Sequence, residues 1–540
     1  MEEQNKPDIS SNGYKSQVSK APSMLETENV DNHSSAHANQ ESCTKANKQF
    51  DASSIQTSKP SIQKNTIYNV IKTLSTIVFP VITFPYISRV LQVDNIGKLN
   101  FGNAVVSYIS LIASLGISTY AIRECSKVKN DRDELDRVSS EIYSISLIST
   151  AFAYIVLLML LLFWPRLRAY RTLIFIQSMS VVLGTIGTNW INSAMEDFRY
   201  ITIRTFAFQI LSLILMFLLV RKPGDYMTYA MITVISAAGA NIINILYRRK
   251  YCRIRFTPRI NWKKHWRPVL FLFAMLLAQT VYVSTDQVMI GIYWSDHEVG
   301  LYSTAVKIYN IVNSMVASVY IVVMPQISAA YQEKDYEKIN KLFLYAASII
   351  ITFGLPCVVG LNVICKDIIM IIAGEEYLGS TASLHILTAA LAFSLFGGLI
   401  GNVLLLPSGR EKICFRNAII SAAVNFLTNL VLIPKFGIEA AACTTALAEG
   451  VALLLCVQQV DKQIDKFAIL KTIKAPIAGC TAIIAISVVI RLLECGKAIE
   501  PWAILICSVV AYTMIQVLLK NDLVLSMISK LQRRKGIGRR

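Results

Sequence analysis

EIYSISLISTAFAYIVLLMLLLF, residues 141–163, carries one charge at its first position and then nothing but uncharged, mostly apolar side chains. A helix rises about 1.5 Å per residue and the hydrocarbon core of a bilayer is about 30 Å thick, so about 20 such residues make one crossing. Comparable stretches recur along the chain, with approximate limits 67–88, 99–120, 141–163, 172–192, 201–220, 227–247, 268–292, 300–323, 342–364, 383–406, 413–433, 438–459, 468–490 and 500–519. Hydrocarbon offers a backbone amide no partner, so each crossing must satisfy its own hydrogen bonds as a helix, and these segments are too long and too continuously apolar for barrel strands. The expected fold is an all-α integral membrane bundle of about fourteen transmembrane helices.

Composition agrees, since the 540 residues are 54% hydrophobic and 16% charged, against about 25% charged in soluble domains. Residues 1–64 break the pattern. They are rich in Ser, Asn, Gln and Lys and show no helical period, so they read as a disordered tail. The tail has no basic start, apolar core and small-residue cleavage site, so residue 67 onward is expected to act as the first signal anchor.

With the gaps between spans numbered in order, the even-numbered gaps and the two flanks hold 35 Lys and Arg, against 11 in the odd-numbered gaps. The positive-inside rule then puts both termini in the cytoplasm. It also accounts for the net charge of +18, so no nucleic-acid partner is expected. The most basic gap, RRKYCRIRFTPRINWKKHWR over residues 248–267, follows the sixth span and reads as the cytoplasmic connector between two lobes, where anionic-lipid contacts are expected.

The eleven cysteines fall mostly within or beside apolar spans, and the five histidines show no metal-site spacing. No phosphate-binding glycine loop, nucleophile elbow or paired carboxylates can be read from spacing. The expectation is no enzyme, no metal and no cofactor. Ionisable residues inside the spans are therefore where function should sit, because burying charge costs a few kcal/mol unless it meets water or a partner. These are Lys72, Arg89, Asp286, Lys307, His385 and Glu449. Asp286 reads either as structural, in an ion pair with Lys307 or a helix hydrogen bond, or as functional, setting the charge of the cavity when no substrate is present. Glu449 follows a run of small residues that suits close packing. Pro80 and Pro85 are expected to bend the first helix, and Pro356 to interrupt the ninth.

DNIGKLNFGNAV (residues 94–105) opens the second span and DHEVGLYSTAVKI (296–308) opens the eighth. Both read as an acidic turn, an aliphatic residue with Gly, and a helix with small residues, the pattern of a two-lobe duplication.

FPYISRVLQVDNIGKLNFGNAVVSYISLIASLG (84–116) resembles the opening signature of the polysaccharide transporter family of the multidrug/oligosaccharidyl-lipid/polysaccharide (MOP) superfamily. TDQVMIGIYWSDHEVGLYSTAVKI (285–308) is similar to that family's seventh and eighth spans, and WINSAMEDFRYITIRT (190–205) to its fourth-to-fifth loop. The segment 406–450 resembles its tenth-to-twelfth region, with Asn425, Asn429, Pro434, Gly437 and Glu449 in place. The resemblance implies two pseudo-symmetric six-helix lobes in a V-shaped bundle plus two C-terminal helices. On that plan 1–64 is the tail, 65–250 the first lobe, 251–267 the linker, 268–460 the second lobe, 461–520 the two extra spans and 521–540 a basic cytoplasmic tail.

The implied activity is flipping of an undecaprenyl-pyrophosphate-linked oligosaccharide repeat unit across the bacterial cytoplasmic membrane for O-antigen, capsule or exopolysaccharide synthesis. Lys72, Arg89, Arg204 and Lys307 are the cations expected to line the central cavity, with Arg89 and Lys307 sharing it, and Asp286 is the ion-coupling candidate. Membrane lipids surround such a protein, and a polysaccharide polymerase and glycosyltransferases are its expected partners. The alternatives are a lipid II or spore-wall flippase of the same superfamily, a cation-coupled multidrug exporter, and a membrane-embedded ligase.

Overall fold

The computed structural model describes residues 62–461, 464, 468–494, 496 and 499–537. The tail expected over 1–64 lies outside the described residues up to 61, and its last three residues already belong to the first helix. Helix α1 (Ile62–Ser114) is followed by α2 (Ile117–Lys127), α3 (Arg132–Phe163), the short α4 (Pro165–Arg168), α5 (Arg171–Gly187), α6 (Asn189–Ala194), α7 (Phe198–Leu219), α8 (Tyr226–Val234) and α9 (Ala240–Tyr247). After a connector come α10 (Trp262–Tyr293), α11 (Asp296–Gln332), α12 (Tyr336–Ile349), α13 (Leu355–Val363), α14 (Cys365–Ile372), α15 (Thr381–Ile400) and α16 (Glu411–Gln458). The chain then adds α17 (Ala468–Leu492), α18 (Glu500–Leu518) and α19 (Asp522–Ile537). No strand occurs among the described residues.

Among the described residues, eleven helical runs are long and apolar enough to cross a membrane, and α5 is a shorter apolar helix. Two of the eleven contain a break. α1 leaves helical geometry at Gln92 (φ 64°), and α16 at Gly437 (φ 67°). The bend expected at Pro80 and Pro85 is therefore displaced. Both prolines keep helical dihedrals, and the chain folds back at Gln92, bringing Pro80 and Asn100 onto the same cavity. At Pro356 the interruption is present as a π-turn over 350–354. Proline lacks the amide that would bond the carbonyl four residues earlier. That carbonyl, on Thr352, instead accepts from the Tyr512 hydroxyl at 2.7 Å, which ties α18 to the π-turn of the ninth span.

Helix starts follow local chemistry. Asp131, Asp197, Asn261, Ser295 and Asp335 each accept from backbone amides in the first turn of α3, α7, α10, α11 and α12. The cap at Asn261 starts α10 six residues before the expected span, which shortens the irregular part of the connector to 251–261. That connector lies along α3. The amides of Arg253, Arg255 and Thr257 donate to Asp136, Ser140 and Ser144, one helical turn apart each time. Just beyond it, His265 is fixed between the Tyr120 hydroxyl (2.7 Å) and the Glu141 carboxylate (2.9 Å).

The first group of helices, α1 to α9, packs mostly within itself, and so does the second, α10 to α16, with α17 against α12 and α13. They meet where α1 crosses α10 and α11. Large apolar side chains such as Phe152, Ile155, Phe206, Leu427 and Val509 face outward, as lipid contact requires. This is a multi-pass membrane protein.

Candidate functional site between the lobes

At the end of the bundle that carries the odd-numbered gaps, the two lobes are closed on each other. Tyr170 Oη donates to Asp296 Oδ1 (2.6 Å), Arg166 Nη2 to the Trp294 carbonyl (2.6 Å), and His297 Nδ1 meets Asp94 Oδ1 (3.0 Å). Ser88 Oγ donates to the Ile372 carbonyl (3.3 Å), and the Tyr377 hydroxyl returns a bond to the Ser88 carbonyl (3.2 Å). The glycine that follows the aliphatic residue in each of the two similar segments, Gly97 and Gly300, is a contact point. A Cβ on Gly97 would lie 1.7 Å from the Asp296 carbonyl oxygen, and one on Gly300 would lie 2.3 Å from that of Val93. Each repeat thus presses its glycine against the backbone of the other, which a larger residue cannot do.

Deeper in, polar pairs continue across the junction. Asn100 Nδ2 donates to Ser303 Oγ (2.8 Å), Ser107 Oγ to Ser284 Oγ (3.0 Å), and the Tyr108 and Thr285 hydroxyls share a 2.6 Å bond. Beside them lies a cavity of about 290 Å³ between α1, α10 and α11, lined by Pro80, Asn100, Gln287, Ser303, Lys307 and Asn310 among others. Lys307 Nζ sits 4.0 Å from the centre of the Phe84 ring. It pairs with no carboxylate among the described residues. A cation stabilised by a ring face but not neutralised keeps its charge available to an incoming anion.

The expected Asp286–Lys307 ion pair is not formed. Asp286 is buried inside the second lobe. Its Oδ2 accepts from Tyr302 Oη (2.6 Å) and Thr445 Oγ1 (3.0 Å), and its Oδ1 from Asn429 Nδ2 (2.6 Å). Asn429 also donates to Asn425 Oδ1 (3.0 Å), and Thr444 Oγ1 donates to Asn429 Oδ1. Asp286 lies on the buried face of α10, whereas Lys307 on α11 lines the junction, so the two charges face different spaces. The site is a carboxylate ringed by neutral donors, two hydroxyls and one amide nitrogen, with no cation bonded to it among the described residues. A second carboxylate has the same character. Glu449 Oε1 accepts from Tyr282 Oη (2.7 Å) and more weakly from Tyr309 Oη (3.5 Å).

The other expected cavity cations are elsewhere. Arg89 does not share the cavity with Lys307; its guanidinium is held by the carbonyls of Pro85 and Ile371 at the closed end, because the last turn of α14 presents free carbonyls there. Arg204 is buried within the first lobe, bonded to Asn189 Oδ1 (2.6 Å) and stacked over Tyr200. The side chain of Lys72 lies outside the described residues. His385 is on an exposed face of α15. Pro434 and Gly437 shape the break in α16, where the Trp294 ring packs on Gly437 and its Nε1 donates to the Ile433 carbonyl (2.8 Å).

Sequence reasoning passed over Tyr302, Thr444 and Thr445 around Asp286, and Tyr282 and Tyr309 at Glu449. A signal existed. Tyr302 and Tyr309 are seven residues apart and Tyr282 is four before Asp286, spacings that place each pair on one helix face. No group of three or more metal-ligating side chains occurs among the described residues.

The class of protein these features define is a multi-pass helical membrane protein whose two helical groups close on each other at one end around a polar junction. The chain belongs to the polysaccharide biosynthesis protein family, whose family model matches residues 62–331. It is 24% identical over 370 residues to a protein named as an O-antigen transporter in Shigella dysenteriae, covering 66% of this chain and 90% of that one. It is 22% identical over 368 residues to the capsular polysaccharide biosynthesis protein CapF of Staphylococcus aureus, covering 67% and 89%. Among solved structures, the lipid II flippase MurJ in an inward closed conformation superposes with a TM-score of 0.68 at 17% identity, covering 86% of this chain and all of that one. An inward-facing multidrug resistance MATE family transporter of the MOP superfamily matches with a TM-score of 0.51 at 15% identity, covering 76% and 95%.

Proposed function

We propose that this protein is a polysaccharide flippase that moves an undecaprenyl-pyrophosphate-linked oligosaccharide repeat unit across the bacterial cytoplasmic membrane by alternating access. Fourteen crossings, cytoplasmic termini and lobes at 65–250 and 268–460 belong to the same reading. The observation that carries it is Lys307, an unneutralised cation in a polar cavity at the junction of the lobes. A sugar-pyrophosphate headgroup cannot enter hydrocarbon, so it needs such a cavity while its polyprenyl tail stays in lipid. Asp286 with Asn425, Asn429 and the flanking hydroxyls is the proposed coupling-ion site. A glycosyltransferase step must supply the lipid-linked unit and a polymerase must consume it on the far side.

Two tests are direct. Lys307→Gln in a strain lacking its own copy should raise inner-leaflet lipid-linked repeat unit and lower surface polysaccharide about tenfold or more, the scale of one lost charge-assisted contact. Wild-type surface polysaccharide from a well-expressed variant would refute the cationic cavity. Orientation is read by thiol labelling in a cysteine-free background. Lys222→Cys, in an odd-numbered gap, should react with an impermeant reagent on intact cells, and Lys263→Cys should react only after lysis. The reverse pattern would invert the topology.

A further inference from the structure

A second cavity lies away from the junction. It has a volume of about 560 Å³ where the end of α9, the connector and the start of α3 meet, and it is lined by Arg132, Arg248, Arg249, Arg253 and Arg255, together with Cys252. No carboxylate lines it, and none of the five guanidinium groups makes an ion pair among the described residues. Five like charges around one cavity repel one another unless an anion lies among them.

The cavity is built. Arg248 is only 8% exposed; its Nη1 donates to the Ile186 carbonyl (2.9 Å) and Thr188 Oγ1 (2.8 Å), and its guanidinium lies over Tyr143. Arg248 is itself one of the residues that line the cavity. The wall opposite is held in place by the connector's bonds to α3, since the amides of Arg253 and Arg255 are fixed by Asp136 and Ser140. Arginine presents a planar fork of donors that matches phosphate oxygens, and a rigid set of them recognises phosphate better than scattered surface lysines do.

We propose that this arginine cavity binds a phosphate-bearing headgroup on the face of the membrane that carries the even-numbered gaps. The shared chemistry is a phosphate anion with two or more charged or hydrogen-bonding oxygens. Its source is either the pyrophosphate of the lipid-linked substrate before it reaches the junction, or the phosphodiester of an anionic membrane lipid. The cavity is separate from Lys307, and binding to it is measured without transport, so its failure and that of the flippase reading are distinguishable.

The test is titration calorimetry on the full chain in neutral detergent with three probes: inorganic pyrophosphate, short-chain phosphatidylglycerol, and phosphatidylcholine of the same chain length. Two triple variants are compared with wild type. Arg249→Gln/Arg253→Gln/Arg255→Gln removes three exposed cavity charges and keeps the buried Arg248; Lys263→Gln/Lys264→Gln/Arg267→Gln removes three exposed charges of the same segment outside the cavity. Binding of pyrophosphate, phosphatidylglycerol or both, weakened about tenfold or more by the cavity triple and little by the other, supports the site. Pyrophosphate alone identifies the substrate headgroup as the source, and phosphatidylglycerol alone identifies a membrane lipid. Absence of binding, equal weakening by both triples, or equal binding of phosphatidylcholine would each overturn it. Thermal unfolding without probe confirms that each triple is folded.

Discussion

Gly97→Val is expected to abolish transport while leaving the protein folded and inserted. Gly97 is where one repeat touches the other at closest range, and its missing Cβ would fall 1.7 Å from a backbone oxygen that cannot rotate away. A valine must push α1 and α11 apart at the closed end. Overpacking that shifts side chains and backbone costs about 1–3 kcal/mol and occasionally more, and each 1.4 kcal/mol is about tenfold in a population. The closed state should therefore lose about one to two orders of magnitude in occupancy, and a carrier that cannot close one side cannot alternate. Neither lobe's interior is touched, so expression and detergent-extracted monodispersity should stay near wild type. Gly300→Val should behave alike, because a Cβ there meets Val93. Gly224→Ala is the control, since a Cβ there meets nothing within 4 Å. Surface polysaccharide at wild-type level in a Gly97→Val strain would show that closure at this junction is not part of the cycle.

Asp286 separates a structural from a coupling role through two substitutions. Asp286→Ala removes the acceptor of Tyr302, Thr445 and Asn429 at once, and buried donors without acceptors cost about 1–3 kcal/mol each. The two hydroxyls can rotate and Asn429 keeps its bond to Asn425, so a total loss of roughly 2–5 kcal/mol and poor expression are expected. Asp286→Asn keeps the volume and one acceptor oxygen but cannot ionise. It should express well and yet lose coupled flipping about a hundredfold, the effect of removing the only charge in an ion site rather than one hydrogen bond. The residual flux should no longer respond when the proton or sodium gradient is collapsed. A well-expressed Asp286→Asn protein with normal, gradient-sensitive flipping would return Asp286 to a structural role. Because Asp286 and Lys307 face different spaces, the Asp286→Asn/Lys307→Gln double variant should show the two losses combined. Recovery in the double variant would mean that the charges do meet in another state of the cycle.

Several residues show how far a chain of this kind can be read without coordinates. The helical membrane class and the polysaccharide family were legible, and so was the placing of Asp286, Lys307 and Glu449 within apolar spans. Bilayer thickness and the cost of buried charge act on each segment by itself, so local sequence records them. The DNIGKLN and DHEVGLY segments stood out as similar, and Gly97 and Gly300 within them pack against the backbone of Asp296 and Val93.

What each charge faces was not legible. Asp286 and Lys307 lie on successive spans, which makes a pair plausible on paper, but which face of α10 and α11 meets the other lobe is fixed by how two six-helix groups dock. Arg89 ends a span as a cavity cation would, yet carbonyls of α14, far off in sequence, take its guanidinium. Pro80 and Pro85 mark where a helix can bend, while the fold puts the break at Gln92, where the chain reverses. The arginine cavity likewise depends on the connector lying along α3, which brings Arg132 to residues more than a hundred positions later. Sequence by itself determined the elements and their solvent, because those follow from short-range physics. Only the tertiary structure decided which polar groups meet, because that is set by contacts between segments whose spacing along the chain carries no record of them.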